Sequence, residues 1–235
     1  AMFVRIYGES PYKSPTDMGV NMAGNCICDD EVCKAASKQE IIRRYYDSLR
    51  RHLIGACSDE EVYKLEMLMN QAGITVHDRP VVDVALKHAE ETGAPAAALE
   101  LHDGRIVTGK TSNLLGASAA LLLNALKELA GIDHKLHVIS PEAIEPIQKL
   151  KTLYLGSKNP RLHTDEILIA LSVSAASNPT AQLALAQLPK LKGCQAHTSV
   201  MIGTVDMKQF KKLSIQATFE AKYEKTSNLF HGKGL

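Results

Sequence analysis

The sequence predicts an α/β protein in which a helical N-terminal region leads into a layered α/β domain. Three observations predict it. Apolar residues recur at helical spacing early in the chain, at Val32, Ala35, Ala36, Ile41, Ile42, Tyr45 and Leu49, then at Val62, Leu65, Leu68 and Met69. An apolar run, Ala94–Leu101, meets the turn dipeptide Asp103-Gly104 and returns as Arg105–Thr108, the pattern of a β-hairpin. Beyond it, short apolar runs alternate with helical stretches. The expected division is residues 1–92, an extended loop plus a helical subdomain, and residues 93–235, the α/β domain.

Each element has a local reason. The stretch Tyr7–Gly24 carries Pro11 and Pro15, which hold the residues before them extended, so an ordered loop is expected. Asp29 or Asp30 is placed to cap a helix through about His52. Ser58 with Glu61 forms a capping-box pattern for a second helix that ends at Gly73. Pro80 suits the first turn of a third helix, which stops at Thr92-Gly93. After the hairpin, Ser112 or Asn113 is expected to cap an apolar helix from Leu114 to about Ala130. Lys135–Ile139 reads as a strand, and Ser140-Pro141-Glu142 as the start of the next helix. Thr164-Asp165-Glu166 opens a helix to about Ser177, and Pro179 opens another toward Lys192-Gly193. A strand (His197–Ile202), a helix (Asp206–Leu213) and a strand (Ile215–Ala221) complete the order.

Composition excludes several function classes. Hydrophobic residues make up 45% of the chain, enough to bury a core. Lysine plus arginine (27) nearly balances aspartate plus glutamate (26), which argues against a nucleic-acid or anionic-membrane surface. Aromatics at 5% are too few for a base-stacking platform. The five cysteines, three of them crowded at Cys26, Cys28 and Cys33, do not form a secreted disulfide pattern. No run approaches the ~20 apolar residues of a membrane span, and the N-terminus lacks a signal layout. A cytoplasmic protein without nucleic-acid or membrane partners is expected.

The motifs that carry chemistry are incomplete. Gly104-Arg105-Ile106-Val107-Thr108-Gly109-Lys110-Thr111 satisfies the phosphate-loop pattern. However, β-branched Ile106 and Val107 favour an extended backbone, and Asp103-Gly104 already explains the first glycine as a turn residue, so a hairpin is the better reading. Lys110, Thr111, Ser112 and Asn113 nevertheless sit where a strand is expected to become a helix N-terminus, a ready anion site; plain capping is the alternative. Cys26-x-Cys28 with Cys33 lacks the companion pair of a zinc site, and no metal is expected. Cys194 and His197 offer a thiolate–imidazole pair, although three residues apart on a strand they face opposite ways. His163, at another helix start, is a further group within reach of either. Glu142, one turn from Glu145, is the candidate acid/base, and complementing the helix dipole is the alternative.

Several strings resemble an uncharacterised bacterial family, domain of unknown function 1846. They are Ser10-Pro-Tyr-Lys-Ser-Pro-Thr-Asp-Met-Gly-Val-Asn21, Asp29-Asp-Glu-Val32, Ala36-Ser-Lys-Gln-Glu-Ile-Ile-Arg-Arg-Tyr45, Val107-Thr-Gly-Lys-Thr-Ser112, Ile139-Ser-Pro-Glu142 with Ile144-Glu-Pro-Ile147, and Leu191-Lys-Gly-Cys194 with Ala196-His197. The resemblance spans nearly the whole chain. It implies that this chain is the C-terminal half of a longer protein, whose partner would be a missing, nucleotide-fold-like N-terminal half. Some members carry an ATP-dependent peptidase label, for which no residue here gives support.

From Ala94 onward the element order also resembles the cytidine-deaminase-like fold. That fold's zinc enzymes use His/Cys-x-Glu and Pro-Cys-x-x-Cys at two helix starts. At the corresponding places this sequence has Thr111-Ser112-Asn113 and Ser140-Pro141-Glu142, so the zinc ligands are absent. The resulting expectation is a metal-free deaminase-like domain with no cofactor in this half. It binds a small phosphorylated or nucleotide-type ligand between two helix N-termini, through Lys110, Thr111, Ser112, Asn113 and Ser140. Glu142, Cys194 and His197 are the catalytic candidates, and the loop Lys13, Thr16, Asp17 and Asn21 borders the site. The alternative is a non-catalytic assembly domain that positions the missing half or forms homo-oligomers. Whether the chain is an enzyme is left open.

Overall fold

The computed structural model describes residues 30–224. The loop Lys13, Thr16, Asp17 and Asn21, together with Cys26 and Cys28, lies outside them. Helix α1 spans Asp30–Leu53 and α2 spans Asp59–Ala72. Ser58 caps α2 by accepting from the Glu61 amide, and Gly73 closes it at φ 62°, a left-handed conformation that costs glycine little. A short 3-10 turn, Val76–Asp78, precedes α3 (Pro80–Thr92), which begins on its proline and ends at Gly93. Strands β1 (Ala96–Glu100) and β2 (Ile106–Lys110) form the hairpin, with Gly104 at φ 83° in the turn. Then come α4 (Ala117–Leu129), α5 (Pro141–Lys149), a π-helical turn (Leu150–Tyr154), α6 (Thr164–Ala175) and α7 (Pro179–Leu185). A 3-10 turn (Leu188–Leu191), β3 (Gln195–Thr198), α8 (Thr204–Lys212) and β4 (Gln216–Phe219) complete the described chain.

The sheet order is β2-β1-β3-β4. β1 is antiparallel to both neighbours (Ala96 opposite Lys110, Ala98 opposite His197), while β3 and β4 are parallel (His197 opposite Thr218). β2, β3 and β4 therefore point the same way, against β1. Period-two alternation divides the sheet. Ala97, Leu99, Val107 and Ala196 pack with Leu121, Leu122, Leu126, Ile167 and Phe210 in the main core. On the other face Ala98 meets Val81 and Ala85 of α3. Beyond α3, Ile42 and Tyr46 of α1 pack with Met69, Ile74 and Val82. Helices thus cover both faces, an α/β architecture of eight α-helices and a four-stranded mixed sheet among the described residues.

Four expectations are corrected. Lys135–Ile139 is not a strand: the Asp133 side chain accepts from the Lys135 amide (2.7 Å) and its carbonyl from Leu136 (3.0 Å), while Lys127 Nζ donates to the His134 carbonyl (2.6 Å). These local bonds satisfy the backbone, and Val138 and Ile139 are buried without a ladder. The apolar helix begins at Ala117 with Gly116 as its cap, three residues later than Leu114. Ser112 instead builds a turn, its Oγ accepting from the amides of Leu114 (3.2 Å) and Leu115 (3.1 Å). Leu115 then pairs with Leu162 in an isolated parallel bridge. In α1 the fully packed tyrosine is Tyr46 rather than Tyr45, and Leu68 of α2 is exposed.

The phosphate-loop string is a hairpin, with Ile106–Lys110 extended as β2. Gly109 has a packing reason that its motif position concealed. A Cβ there would lie 2.6 Å from Leu121 Cα and 2.8 Å from the Ala120 carbonyl carbon, so glycine lets α4 rest directly on β2.

Candidate functional site

The carboxyl ends of β2 and β3 lie at one edge of the sheet, where open α/β sheets bind their ligands. Lys110 ends β2 and is exposed, and the Thr111 amide donates to the Pro95 carbonyl (2.8 Å). Beside it the start of α4 is stitched to the segment before α6. Leu162 N donates to the Leu114 carbonyl (2.9 Å), and Gly116 N donates to the Leu162 carbonyl (3.2 Å). The start of α6 is in turn stitched to the start of α8. Asp206 Oδ1 accepts from Thr164 N (2.9 Å) and Thr164 Oγ1 (2.8 Å), and Oδ2 lies 3.3 Å from His163 Nδ1. Three helix N-termini therefore converge at this edge, those of α4, α6 and α8.

The convergence carries a set of titratable groups. Asp206 is buried, which pushes its carboxyl up, but the bonds from His163 and Thr164 outweigh this and hold it below the ordinary aspartate range. His163 is raised above the usual imidazole range by its bond to Asp206, against burial. Its side chain keeps 29% of its surface exposed, and with Nδ1 on Asp206 the open end of the ring is Nε2. The π-helical turn aims Lys151 inward, where Nζ donates to the Arg161 carbonyl (2.7 Å) and to Glu166 Oε2 (2.8 Å). The same Glu166 oxygen accepts from the His163 amide (2.7 Å). This Asp–His pair, its carboxylate buried and its ring partly exposed, is the arrangement that fixes an imidazole for proton transfer or anion contact.

A second polar cluster occupies the opposite face of the sheet. The Arg79 side chain is fully buried, yet none of its five hydrogen bonds reaches a carboxylate. Nε donates to Thr218 Oγ1 (3.0 Å), Nη1 to Gln39 Oε1 (3.0 Å) and Gln195 Oε1 (2.6 Å), and Nη2 to the carbonyls of Ala196 (3.0 Å) and Gln216 (2.6 Å). Burial, with help from the Arg43 charge, brings its pKa down to about 10, so it stays charged near neutrality. His197 continues the network. Nδ1 lies 2.9 Å from Thr218 Oγ1, and Nε2 lies 3.4 Å from Glu220 Oε1 without good hydrogen-bond alignment. Tyr46 OH donates to the same Glu220 oxygen (3.2 Å) and its ring sits 4.9 Å from the imidazole. Burial pushes His197 below the usual imidazole range. The cluster has the chemistry of a structural joint: its imidazole is enclosed and its fully buried cation, Arg79, is consumed by fixed acceptors.

The sequence candidates separate accordingly. Lys110 and Thr111 stand at the carboxyl end of β2, with Ser112 and Asn113 exposed in the turn that follows. That loop meets α5 at the helix's C-terminal turn, where Gln148 Nε2 donates to the Asn113 carbonyl (3.2 Å). Ser140 caps the other end of α5, so the two helix starts expected to face each other do not. α4 meets α6 instead. Glu142 is exposed and held below the ordinary glutamate range by its own amide and by Ser140, which suits a dipole complement and not a proton donor. Glu145 pairs with Lys149 (2.8 Å).

Cys194 and His197 are not a pair. Cys194 lies in the main core with its sulfur on the Lys190 carbonyl (3.6 Å), and burial pushes its thiol up, away from the nucleophilic thiolate. His163 approaches neither of them through a hydrogen bond; its partner is Asp206, 43 residues away. No sequence spacing announces that link. The one legible sign is Thr164-Asp165-Glu166 directly after His163. Among the described residues no three of His, Cys, Asp and Glu come together in a way that would hold a metal ion. No helix among them is long and apolar enough to cross a membrane.

Comparison with known sequences places both halves of this arrangement in one family. The sequence model described as domain of unknown function DUF1846, N-terminal, matches residues 1–73, and its C-terminal counterpart matches residues 77–230. The chain is 56% identical over 224 residues to a UPF0371 protein of Corynebacterium efficiens, covering 95% of this chain and 45% of that protein. A UPF0371 protein of Corynebacterium glutamicum is 55% identical over the same shares. One of Streptococcus thermophilus is 52% identical over 223 residues, with 95% and 45% covered. The chain spans less than half the length of each relative.

Proposed function

The chain belongs to the DUF1846 family, and from that premise we propose that it supplies one wall of a binding site for a phosphate- or nucleotide-type ligand. The observation that carries the reading is the convergence of the starts of α4, α6 and α8 at the carboxyl edge of the sheet, beside Lys110. Helix N-termini present free amides and the positive end of the helix dipole, and a lysine adds charge. Lys110, Thr111, Ser112 and Asn113 form the rim on the β2 side, and His163 forms the opposite rim. The rest of the longer family protein completes the site.

A finer reading, a deaminase-like domain without zinc ligands, rests on the helix starts and not on the element order, since no strand stands between α4 and α6. The hairpin leads into a helix whose start meets a second helix start, as in the zinc deaminases. That second helix is α6, where Pro160 is followed by Arg161 and Thr164 in place of the two cysteines of Pro-Cys-x-x-Cys. The test is calorimetric titration of the purified chain with inorganic phosphate and with a nucleoside monophosphate. Binding that weakens about tenfold in Lys110→Ala, the loss of one charge-assisted contact, supports the site. Undiminished binding in that variant removes it.

One observation favours an assembly role as a second reading. Leu153 and Tyr154 end the π-helical turn and Leu155 follows it, each with at least 72% of its surface exposed, and Ile169 and Val173 stand outward one turn apart on α6. Exposed apolar side chains in such number suit a protein contact. Concentration-dependent dimerisation of the chain in sedimentation, abolished by Val173→Glu, would support it. A monomer at all concentrations would count against self-assembly.

A further inference from the structure

We infer that His163 is the residue of this site that meets the ligand's phosphoryl oxygens, through Nε2, and that Asp206 is its positioning residue. The inference rests on the ligand-site reading above and names its charged contact.

The geometry allots each group one task. Asp206 is buried at the start of α8 and spends Oδ1 on Thr164, which fixes the start of α6. Its second oxygen takes His163 Nδ1, so the ring is oriented with Nε2 outward at the helix junction. The other charged groups around the imidazole are Lys151 on the π-helical turn and Glu166 on α6, and these are already bonded to each other (2.8 Å). Two carboxylates therefore face one ammonium and one imidazole. With His163 protonated the group is neutral; with His163 neutral it carries a net negative charge. A phosphoryl anion is repelled in the second state and admitted in the first, where a charge-assisted N–H···O bond adds to the attraction. Raising pH makes phosphate itself more anionic, which alone would favour binding, so a loss of affinity with rising pH identifies the imidazole as the titrating partner.

The experiment uses the purified chain with inorganic phosphate as the probe. Histidine ring resonances are followed by NMR, and affinity is measured from about pH 6 to about pH 9, across the ordinary imidazole range. In the native chain phosphate is expected to shift the His163 ring signals, with affinity falling as the ring deprotonates. His163→Gln, which leaves Asp206 on Thr164, is expected to weaken binding about tenfold at the acid end and to erase the fall. Asp206→Asn is expected to move both the ring titration and the loss of binding to lower pH together; if that variant does not fold, the native chain and His163→Gln decide. Binding of equal strength and equal pH dependence in His163→Gln overturns the inference and leaves the ligand site standing. Absence of phosphate binding at every pH overturns the site itself, and the inference with it.

Discussion

Replacing Arg79 tests whether the buried polar network on the α1 side of the sheet holds the helical layer to the strands. The guanidinium donates to five acceptors, two of them backbone carbonyls on adjacent parallel strands. In Arg79→Met four of the five acceptors keep another partner. The Ala196 carbonyl keeps the Thr218 hydroxyl (3.2 Å), Gln195 Oε1 keeps Arg43 (3.2 Å), and Thr218 keeps His197. The Gln216 carbonyl keeps its place in the β3–β4 ladder, and Gln39 Oε1 loses the donor described for it. At about 1–3 kcal/mol for Gln39 Oε1 and about 0.5–1.5 kcal/mol for the second bond to the Gln216 carbonyl, less the relief of no longer burying a charge, the net cost is about 1–4 kcal/mol. Arg79→Lys retains the buried charge, but its three donors cannot serve five acceptors spread over β3, β4 and α1, so it is expected to cost about 3–5 kcal/mol. The apolar substitution should therefore be the milder of the two. Urea unfolding with an unchanged slope measures both, and a loss of 3 kcal/mol corresponds to a Tm lower by about 6–12 °C for a chain of this size. A lysine variant as stable as the native chain, or a methionine variant within ~0.5 kcal/mol of it, would refute the reasoning, because the five bonds would then contribute nothing net.

Gly109→Ala is expected to cost about 3 kcal/mol or more, since the added methyl meets backbone atoms of α4 that cannot rotate away; thermal unfolding measures this. The two hydrogen-bonded histidines, His163 and His197, should move stability in opposite directions with pH. His163 is raised in the fold, so its contribution is present in full below the unfolded imidazole value and is lost as pH rises through the raised folded value. His197 is lowered, so its contribution is present above the unfolded value and is lost as pH falls through the depressed folded value. Urea midpoints across pH should show the destabilisation of His163→Gln shrinking toward alkali. For His197→Gln, the gap from the native chain should narrow toward acid. Cys194 should resist iodoacetamide in the folded chain and react on unfolding, as expected of a buried thiol with a raised pKa; rapid labelling in the native state would contradict its placement.

The fold was most legible where a residue has one conformational job. Ser58, Gly73, Pro80, Gly93, Asp103-Gly104 and Pro179 each mark the boundary at which the chain changes direction or state. It was least legible where one chemistry serves two motifs. A serine before an apolar run caps a helix or makes a serine turn, and Ser112 makes the turn because Leu115 is pulled aside by Leu162. Leu136–Ile139 is apolar enough for a strand, but Asp133 satisfies the neighbouring backbone first and no sheet edge reaches it. The β2 side of the candidate site was visible as Lys110–Asn113. The other side was not, because the Asp206–His163 and Arg79–Thr218 contacts join residues far apart in sequence, and such pairings leave no local pattern.

The Arg79 joint also bears on how the molecule comes apart. Its acceptors include Gln39 within the N-terminal family region and Gln195, Ala196, Gln216 and Thr218 within the C-terminal one, and Tyr46 reaches across to Glu220. A boundary drawn from sequence between residues 73 and 77 therefore runs through a shared interior. Hydrogen exchange should find the amides of α1 and β4 opening together as a single cooperative unit. Cutting the chain at that boundary would release no free-standing module but two surfaces, one carrying an arginine that keeps its strand acceptors but has lost Gln39 and the α1 layer over it.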